Sequence, residues 1–331
     1  MKDNNRNQLY KNLPLELPYL IQIFPCYACN FKCQYCLHAL PRSQHSTIST
    51  KTFLDMVTFK NCIDSIASRG KKIKMLRFAG IGEPLLHPDI AAMVSYANKK
   101  QVAQSIDIVT NGALLTPDLT MRLVEAGLST LRISIEGLSS EEYKQHAGAN
   151  IEFEKIVENI RYYYKHCGQS KIYVKIIDYM LNDDPEKIQL FHKTFKDISH
   201  MSAIEHLTPT IKEIDYSKFS GTSDFSLTQD GLKKQSINVC PQPFYMIQLN
   251  PDGSFVPCCS MKYPIILNEN VNLINVWNST ELNKFRLSFL RNLKNSVCKE
   301  CTLYQYGAYQ EDVLDGHEPE LIKKFSADIK N

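Results

Sequence analysis

The chain has no apolar run approaching the roughly 20 residues a membrane-spanning helix needs. Its opening stretch, MKDNNRNQLYKN, lacks the apolar centre of a secretory signal. An excess of one charge is missing too: 38 Lys and Arg stand against 35 Asp and Glu, a formal +3 over 331 residues. No dense basic stripe offsets that balance, so neither a membrane nor a nucleic acid is an expected partner. Lys71, Lys72 and Lys74 read as the solvated end of a helix. What the chain has in unusual supply is cysteine, eleven in all and an odd number. Cys26, Cys29, Cys33 and Cys36 form one group, and Cys240, Cys258, Cys259, Cys298 and Cys301 a second, while Cys62 and Cys167 sit among apolar neighbours as packing thiols. Without an export signal, such grouping favours metal binding in a reducing compartment over disulfides, and a cytoplasmic location is expected.

With 44% apolar residues, the chain has material for one large core or two smaller ones. Residues 1–18 read as a polar arm over the surface. Tyr19 to Phe24 suits a strand buried on both faces, closed by Pro25. Strands are then expected at Lys74–Ala79, Ser105–Thr110, Thr130–Ile135, Lys171–Leu181 and Ala203–Leu207. Helices are expected between them at Thr52–Ser68, Pro88–Lys100, Pro117–Ala126, Ile151–His166 and Pro185–Ile198. Strand and helix alternating at this pitch argue for parallel βαβ units, an α/β fold. In such folds the chemistry gathers at the C-terminal ends of the strands. Residues 216–239 turn to Ser, Thr, Gly, Asp and Lys, a linker composition, so domains are drawn at 19–215 and 240–307, with a tail at 308–331.

Cys29, Cys33 and Cys36 stand as C-x3-C-x2-C, a spacing with which one short loop wraps three corners of an iron-sulfur cube. One iron would then lack a protein ligand. A zinc knuckle needs about a dozen residues between two cysteine pairs, and this loop has no such span. A ferredoxin-like site, with Cys26 as fourth thiolate, is the competing reading. The second group follows a hairpin signalled by Pro251-Asp252-Gly253, and Cys298-x2-Cys301 comes after a helix expected at Thr280–Leu293. Cys240, Cys258, Cys298 and Cys301 could hold zinc as a ribbon or an iron-sulfur cluster. Cys259 is surplus. On the fourth strand, Arg132, Ser134 and Glu136 share one face, either lining a lumen or forming an Arg132–Glu136 ion pair. Asp178, Glu205 and His206 lie near the mouth ends of strands five and six and are candidates for proton transfer.

C-x3-C-x2-C with Tyr35 before the last cysteine resembles the signature of the radical S-adenosylmethionine (SAM) superfamily. The resemblance implies that Cys29, Cys33 and Cys36 hold a [4Fe-4S] cluster whose open iron binds SAM, with Cys26 a spare. Reductive cleavage of SAM would yield a 5'-deoxyadenosyl radical that removes hydrogen from substrate. Gly80-Ile-Gly82-Glu83-Pro84 resembles the family's Gly-Gly-Glu-Pro element for the amino group of SAM, with Ile81 interrupting the glycine pair. Ser134 in Ile-Ser-Ile-Glu-Gly matches a family contact to SAM, and Asn111, after the third strand, is counted with it. The arginine that many relatives use for the SAM carboxylate is missing near Tyr143 to Gly148, leaving Lys144, His146 or Arg132. The implied fold is a partial (β/α)6 barrel followed by a small C-terminal iron-sulfur domain with a β-hairpin and helix.

The second group, with Gly253-x4-Cys258 and Val276-Trp277-Asn278-Ser279, resembles the SPASM/Twitch extension in its shortened form, with one auxiliary [4Fe-4S] cluster. The similarity extends to relatives of 2-deoxy-scyllo-inosamine dehydrogenase type, which oxidise a sugar or aminocyclitol carbinol. It implies a radical SAM oxidoreductase for a polar small molecule, served by an external one-electron reductant such as flavodoxin or ferredoxin. The alternatives are an epimerase, with Cys259 or Cys167 returning hydrogen, a peptide-maturing enzyme, or a non-catalytic metal-binding protein. The peptide reading is expected to be weaker, since an 18-residue arm is too short for a leader-binding domain.

Overall fold

The computed structural model describes residues 6–45, 48–219, 224–260, 262–267 and 272–328. Six parallel strands, β1 (Leu20–Ile23), β2 (Ile73–Phe78), β3 (Ala103–Thr110), β4 (Thr130–Ile135), β5 (Lys171–Ile177) and β6 (Met201–Glu205), pair in chain order. A hairpin of β7 (Met246–Leu249) and β8 (Phe255–Val256) completes an eight-stranded sheet, ordered β6-β5-β4-β3-β2-β1-β7-β8, whose two edges do not meet. The barrel is therefore open. Helices at Met56–Ala67, Ile90–Lys99, Pro117–Glu125, Phe153–His166 and Pro185–Phe195 cross between the strands. They cover the outer face with one continuous apolar core.

The parallel alternation stands as the sequence pattern predicts, and the differences are local. The helix expected from Thr52 begins at Met56 because the Asp55 carboxylate accepts the Thr58 N–H at 2.8 Å and caps it there. Strand five stops at Ile177, not Leu181. Asp178–Met180 winds into a single tight turn, and the Asp178 carboxylate accepts the Tyr179 and Leu207 N–H groups. The Arg132–Glu136 pair does not form. Four residues along a strand separate the two by about 13 Å, and Arg132 Nε instead donates to Asp107 Oδ2 at 2.9 Å. On β4, Leu131, Ile133 and Ile135 are buried outward, whereas Arg132 and Ser134 on the other face are half-buried.

Two features of the ends differ from expectation. The C-terminal hairpin is not a separate sheet: β7 lies parallel to β1, with Leu20 to Ile23 in register with Met246 to Leu249. A strand as apolar as β1 needs a neighbour on both edges, and β7 supplies the second. The N-terminal segment, expected as a polar arm over the surface, also contributes buried residues. Leu9 and Leu13 enter a second core with Phe244, Leu314, Leu321 and Phe325, Arg6 pairs with Asp312, and Trp277 Nε1 donates to the Leu15 carbonyl. Leu9 lies on a short helix, Leu9–Asn12, Leu13 directly follows it in extended backbone, and Leu17 packs into the main core instead. No helix among the described residues is long and apolar enough to cross a membrane.

Candidate iron-sulfur and cofactor site

The cysteine loop leaves β1 at the C-terminal edge of the sheet and is fastened from several sides. Lys32 and Gln34 N–H donate to the carbonyls of Ala147 and His146, Tyr27 N–H to Thr52, and Glu83 N–H to Ala28. Phe31 is buried edge-on against Tyr143, with ring centroids 5.8 Å apart. The Tyr35 hydroxyl donates to Glu136 Oε1 at 2.8 Å, just beyond β4. A short loop with this many anchors presents its side chains in one fixed arrangement.

Cys29, Cys33 and Cys36 sit close enough to oppose one another's ionisation. Burial pushes the Cys29 thiol up to about 12, with Glu83, Cys36 and Glu136 adding to it. Burial, then Glu136, Cys36 and Cys29, drives Cys33 well above its ordinary value. Cys26 differs. Its thiol faces the Ala28 carbonyl at 3.6 Å, and apart from burial it is raised only by Glu83, not by the other three thiols. The group fits a cluster on two counts. The Phe31 N–H lies 3.4 Å and Asn111 Nδ2 3.9 Å from Cys29 Sγ, placing donors on a sulfur as iron-sulfur sites do. Among the described residues no three His, Cys, Asp or Glu converge as one ion demands, whereas a cube holds its thiolates further apart. An iron core would stabilise the thiolates that burial now disfavours.

The Gly80–Pro84 turn presses directly on this loop. A Cβ at Gly82 would stand 2.0 Å from the Cys26 carbonyl oxygen, and one at Gly80 would strike the Phe24 ring. The glycines therefore serve close approach of two backbones as well as the turn. Glu83 is buried, and its carboxylate accepts hydrogen bonds from Leu85 N–H, Thr110 Oγ1 and Asn111 N–H at 2.8, 2.6 and 2.8 Å. Burial raises it despite these donors. One lone-pair position on Oε2 is left for a further donor. Asn111 Nδ2 in turn donates to Asn30 Oδ1 at 2.8 Å, linking the end of β3 to the cysteine loop.

Inside the mouth lies a cavity of about 260 Å³ lined by Tyr35, Ser134, Glu136, Lys175, Glu205, His206 and Gln229. Three of the expected residues, Ser134, Glu205 and His206, line it, and Asp178 stands directly behind, its Oδ2 3.0 Å from His206 Nδ1. Glu205 accepts from Tyr173 at 2.9 Å, from Lys175 at 2.6 Å and from Gln229. Lys175 and Gln229 were not foreseen. Lys175 had a signal, a charge alternating with the apolar Val174 and Ile176 on a buried strand; Gln229 sits in the Ser/Thr/Gly stretch and had none. Burial raises the Glu136 carboxyl to about 6, and its Oε2 has no hydrogen-bond partner among the described residues.

At the other end of the sheet, Cys240, Cys258, Cys298 and Cys301 line one apolar cavity with Pro243, Phe285, Phe289 and Tyr304. Asn295 caps the short helix that carries Cys298, its Oδ1 accepting the Cys298 N–H at 2.8 Å. Four thiols around one apolar hollow suit a fully ligated cluster. Cys259 does not line it. Its thiol lies 3.7 Å from Gln242 Oε1, and burial lifts it to about 11 while Arg77 draws it down. Cys62 and Cys167 are buried packing thiols, as expected.

An open parallel barrel with three thiols at its mouth and four at its flank defines a class of iron-sulfur enzymes. The family model for the radical SAM superfamily matches residues 23–193, and that for the SPASM iron-sulfur cluster-binding domain matches residues 240–302. The chain belongs to the radical SAM superfamily, and its cofactors are SAM, the SAM-binding [4Fe-4S] cluster and auxiliary iron-sulfur. It is 37% identical over 116 residues to the GTP 3',8-cyclase of Chlorobaculum tepidum, covering 35% of this chain and 32% of that one. It is 23% identical over 313 residues to the tungsten-containing aldehyde ferredoxin oxidoreductase cofactor-modifying protein of Pyrococcus furiosus, covering 83% and 85%. The first three curated relatives are matched over 32%, 55% and 35% of their own lengths. The crystal structure of BtrN with AdoMet and 2-DOIA superposes with a TM-score of 0.55 at 16% identity, over 86% of this chain and 93% of that one. That likeness is one of fold.

Proposed function

We propose that the protein is an oxidoreductase that removes hydrogen from a carbon bearing hydroxyl or amine in a polar small molecule, such as a sugar or aminocyclitol. Cys29, Cys33 and Cys36 would hold the cluster, which when bound would supply the electron for reductive cleavage of SAM, and the auxiliary site would supply an electron acceptor. Cys240, Cys258, Cys298 and Cys301 would hold that auxiliary group. An external one-electron reductant, a flavodoxin or ferredoxin, completes the set.

The chain's own part is placement and proton removal. Gly80, Gly82 and Pro84 let the turn come close to the loop, and Glu83 Oε2 has an acceptor position for the SAM ammonium. Tyr35 and Ser134 line the mouth cavity, and Asn111 stands at the cysteine loop beside Asn30 and Cys29. Oxidising a carbinol also requires its hydroxyl proton to leave, and the observation that carries the reading is the Asp178–His206 pair. With Asp178 Oδ2 holding Nδ1 and His206 among the residues lining the cavity, Nε2 is the ring nitrogen left to accept a proton. Glu205, tied to Lys175 and Gln229, orients the neighbouring wall.

The test is mass spectrometry of candidate substrates incubated with SAM, a reductant and the anaerobically reconstituted protein. Loss of two mass units is expected. One deuterium gained from D2O without other change would contradict oxidation and assign the epimerase reading instead. One observation favours that second reading: Cys259 lies near Arg77 of the lumen wall, where a thiol could return hydrogen.

A further inference from the structure

Below the SAM-facing residues, the lumen carries a layer that the proposed reaction leaves unused. Gln22, Arg77 and Asp107 are register partners on β1, β2 and β3, and Arg132 reaches Asp107 from β4. Asp107 Oδ2 receives Arg132 Nε at 2.9 Å and Arg77 Nη2 at 3.6 Å, while its Oδ1 receives the Ser105 hydroxyl at 2.7 Å. The Asp107 side chain is 1% exposed, and each arginine side chain is 27% exposed. Two guanidiniums share one carboxylate oxygen, so the layer holds two positive charges against one negative, a residual +1.

The surroundings do not neutralise it. One step towards the mouth, Lys175 and Glu205 already pair with each other. Tyr173 offers Arg132 only its ring, 5.4 Å away. Donors are in excess as well. Arg77 Nε is buried without a partner, and among the described residues the Nη atoms of Arg132 donate to no protein acceptor. Burial and the neighbouring Arg132 both work against the charge on Arg77. An unsatisfied, repelling pair of guanidiniums in a lumen costs stability unless an anion joins it.

We propose that Arg77 and Arg132 seat a carboxylate of the substrate, so that the polar small molecule is an acid such as a uronic or amino acid. The inference rests on the lumen being the substrate chamber. A carboxylate matches the residual +1 and the fork of a guanidinium, whereas a phosphate dianion would overshoot the charge. Ser134, which lines the mouth cavity, lies two residues nearer the mouth than Arg132, about 7 Å along the strand, a separation on the scale of a small ring. Arg132 is thereby assigned to substrate and not to the carboxylate of SAM.

The experiment is isothermal titration of anaerobically reconstituted, SAM-loaded protein, without reductant, using D-glucuronate and L-glutamate against D-glucose and inorganic phosphate. At least one acid should bind ten times more tightly than glucose or more, and Arg132→Gln should weaken it at least tenfold. Asp107→Asn, which raises the residual charge to +2, should tighten acid binding severalfold, a gain that loss of a merely structural pair would not give. Acids no better than glucose, phosphate tighter than both acids, or an Asp107→Asn variant without tightening would each overturn the proposal. So would an Arg132→Gln variant that loses SAM affinity while keeping acid affinity. Because nothing turns over, the result is independent of whether the reaction is oxidation or epimerisation, which the product masses decide.

Discussion

The Tyr35 hydroxyl donates to Glu136 Oε1 across 2.8 Å, so the residue beside the third cysteine of the loop is bonded to the carboxyl that follows β4. Glu136 Oε2 is buried without a partner at hydrogen-bond geometry among the described residues, so the Tyr35 hydroxyl is the principal donor to this buried carboxyl, with the Cys33 thiol beside it. Tyr35→Phe should cost about 1–3 kcal/mol, the penalty for leaving a buried polar group unpaired. Denaturant unfolding of the cluster-free protein reads it; a change below a few tenths would show that the bond holds nothing in place.

Glu136 also sets a pH dependence. Its folded value, about 6, lies above the ordinary 4.5 because burial disfavours the charge. The folded chain thus binds this proton more tightly than the unfolded one. The stabilisation is complete below pH 4.5, is lost between about 4.5 and 6, and leaves the protein about 2 kcal/mol less stable above that window. Glu136→Gln removes the slope, so its stability relative to the parent should rise by about 2 kcal/mol between pH 4 and 7.5. A difference that does not vary with pH would contradict the shift.

Gly82→Ala puts a methyl 2.0 Å from the Cys26 carbonyl, which is backbone and has no rotamer by which to yield. The loop must move, and the cluster at the mouth should be lost while the flank is untouched. Iron analysis after anaerobic reconstitution should fall from about eight to about four per chain, on the basis of two four-iron clusters. An unchanged iron content together with full SAM affinity would contradict the close approach.

Asp178→Asn keeps the shape of the Asp178–His206 pair but weakens the fixed tautomer of the ring. Turnover should fall at least tenfold, and raising the pH should not restore it, while SAM cleavage without substrate persists. Parental turnover in Asp178→Asn would remove the pair from the chemistry.

The periodicity of apolar residues carried the barrel, because a parallel strand buried on both faces and an amphipathic crossover helix each leave an unmistakable pattern. The cysteine spacing carried the loop. What could not be read depended on contacts distant in sequence. Arg132 finds Asp107 on the next strand only once the register is set, and Gln229 reaches Glu205 from a stretch that looks like a linker. The β1–β7 pairing joins residues more than 200 apart, and no local signal announces it.

The account turns on Cys29, Cys33 and Cys36 holding a cluster that leaves SAM a place, with Cys26 apart from it. The direct measurement is 5'-deoxyadenosine formed from SAM by anaerobically reconstituted, dithionite-reduced protein, in the parent, Cys26→Ala and Cys33→Ala. The parent and Cys26→Ala should form it at comparable rates, and Cys33→Ala should form none. Loss of product in Cys26→Ala with retention in Cys33→Ala would show that the wrong thiol had been left out of the cluster.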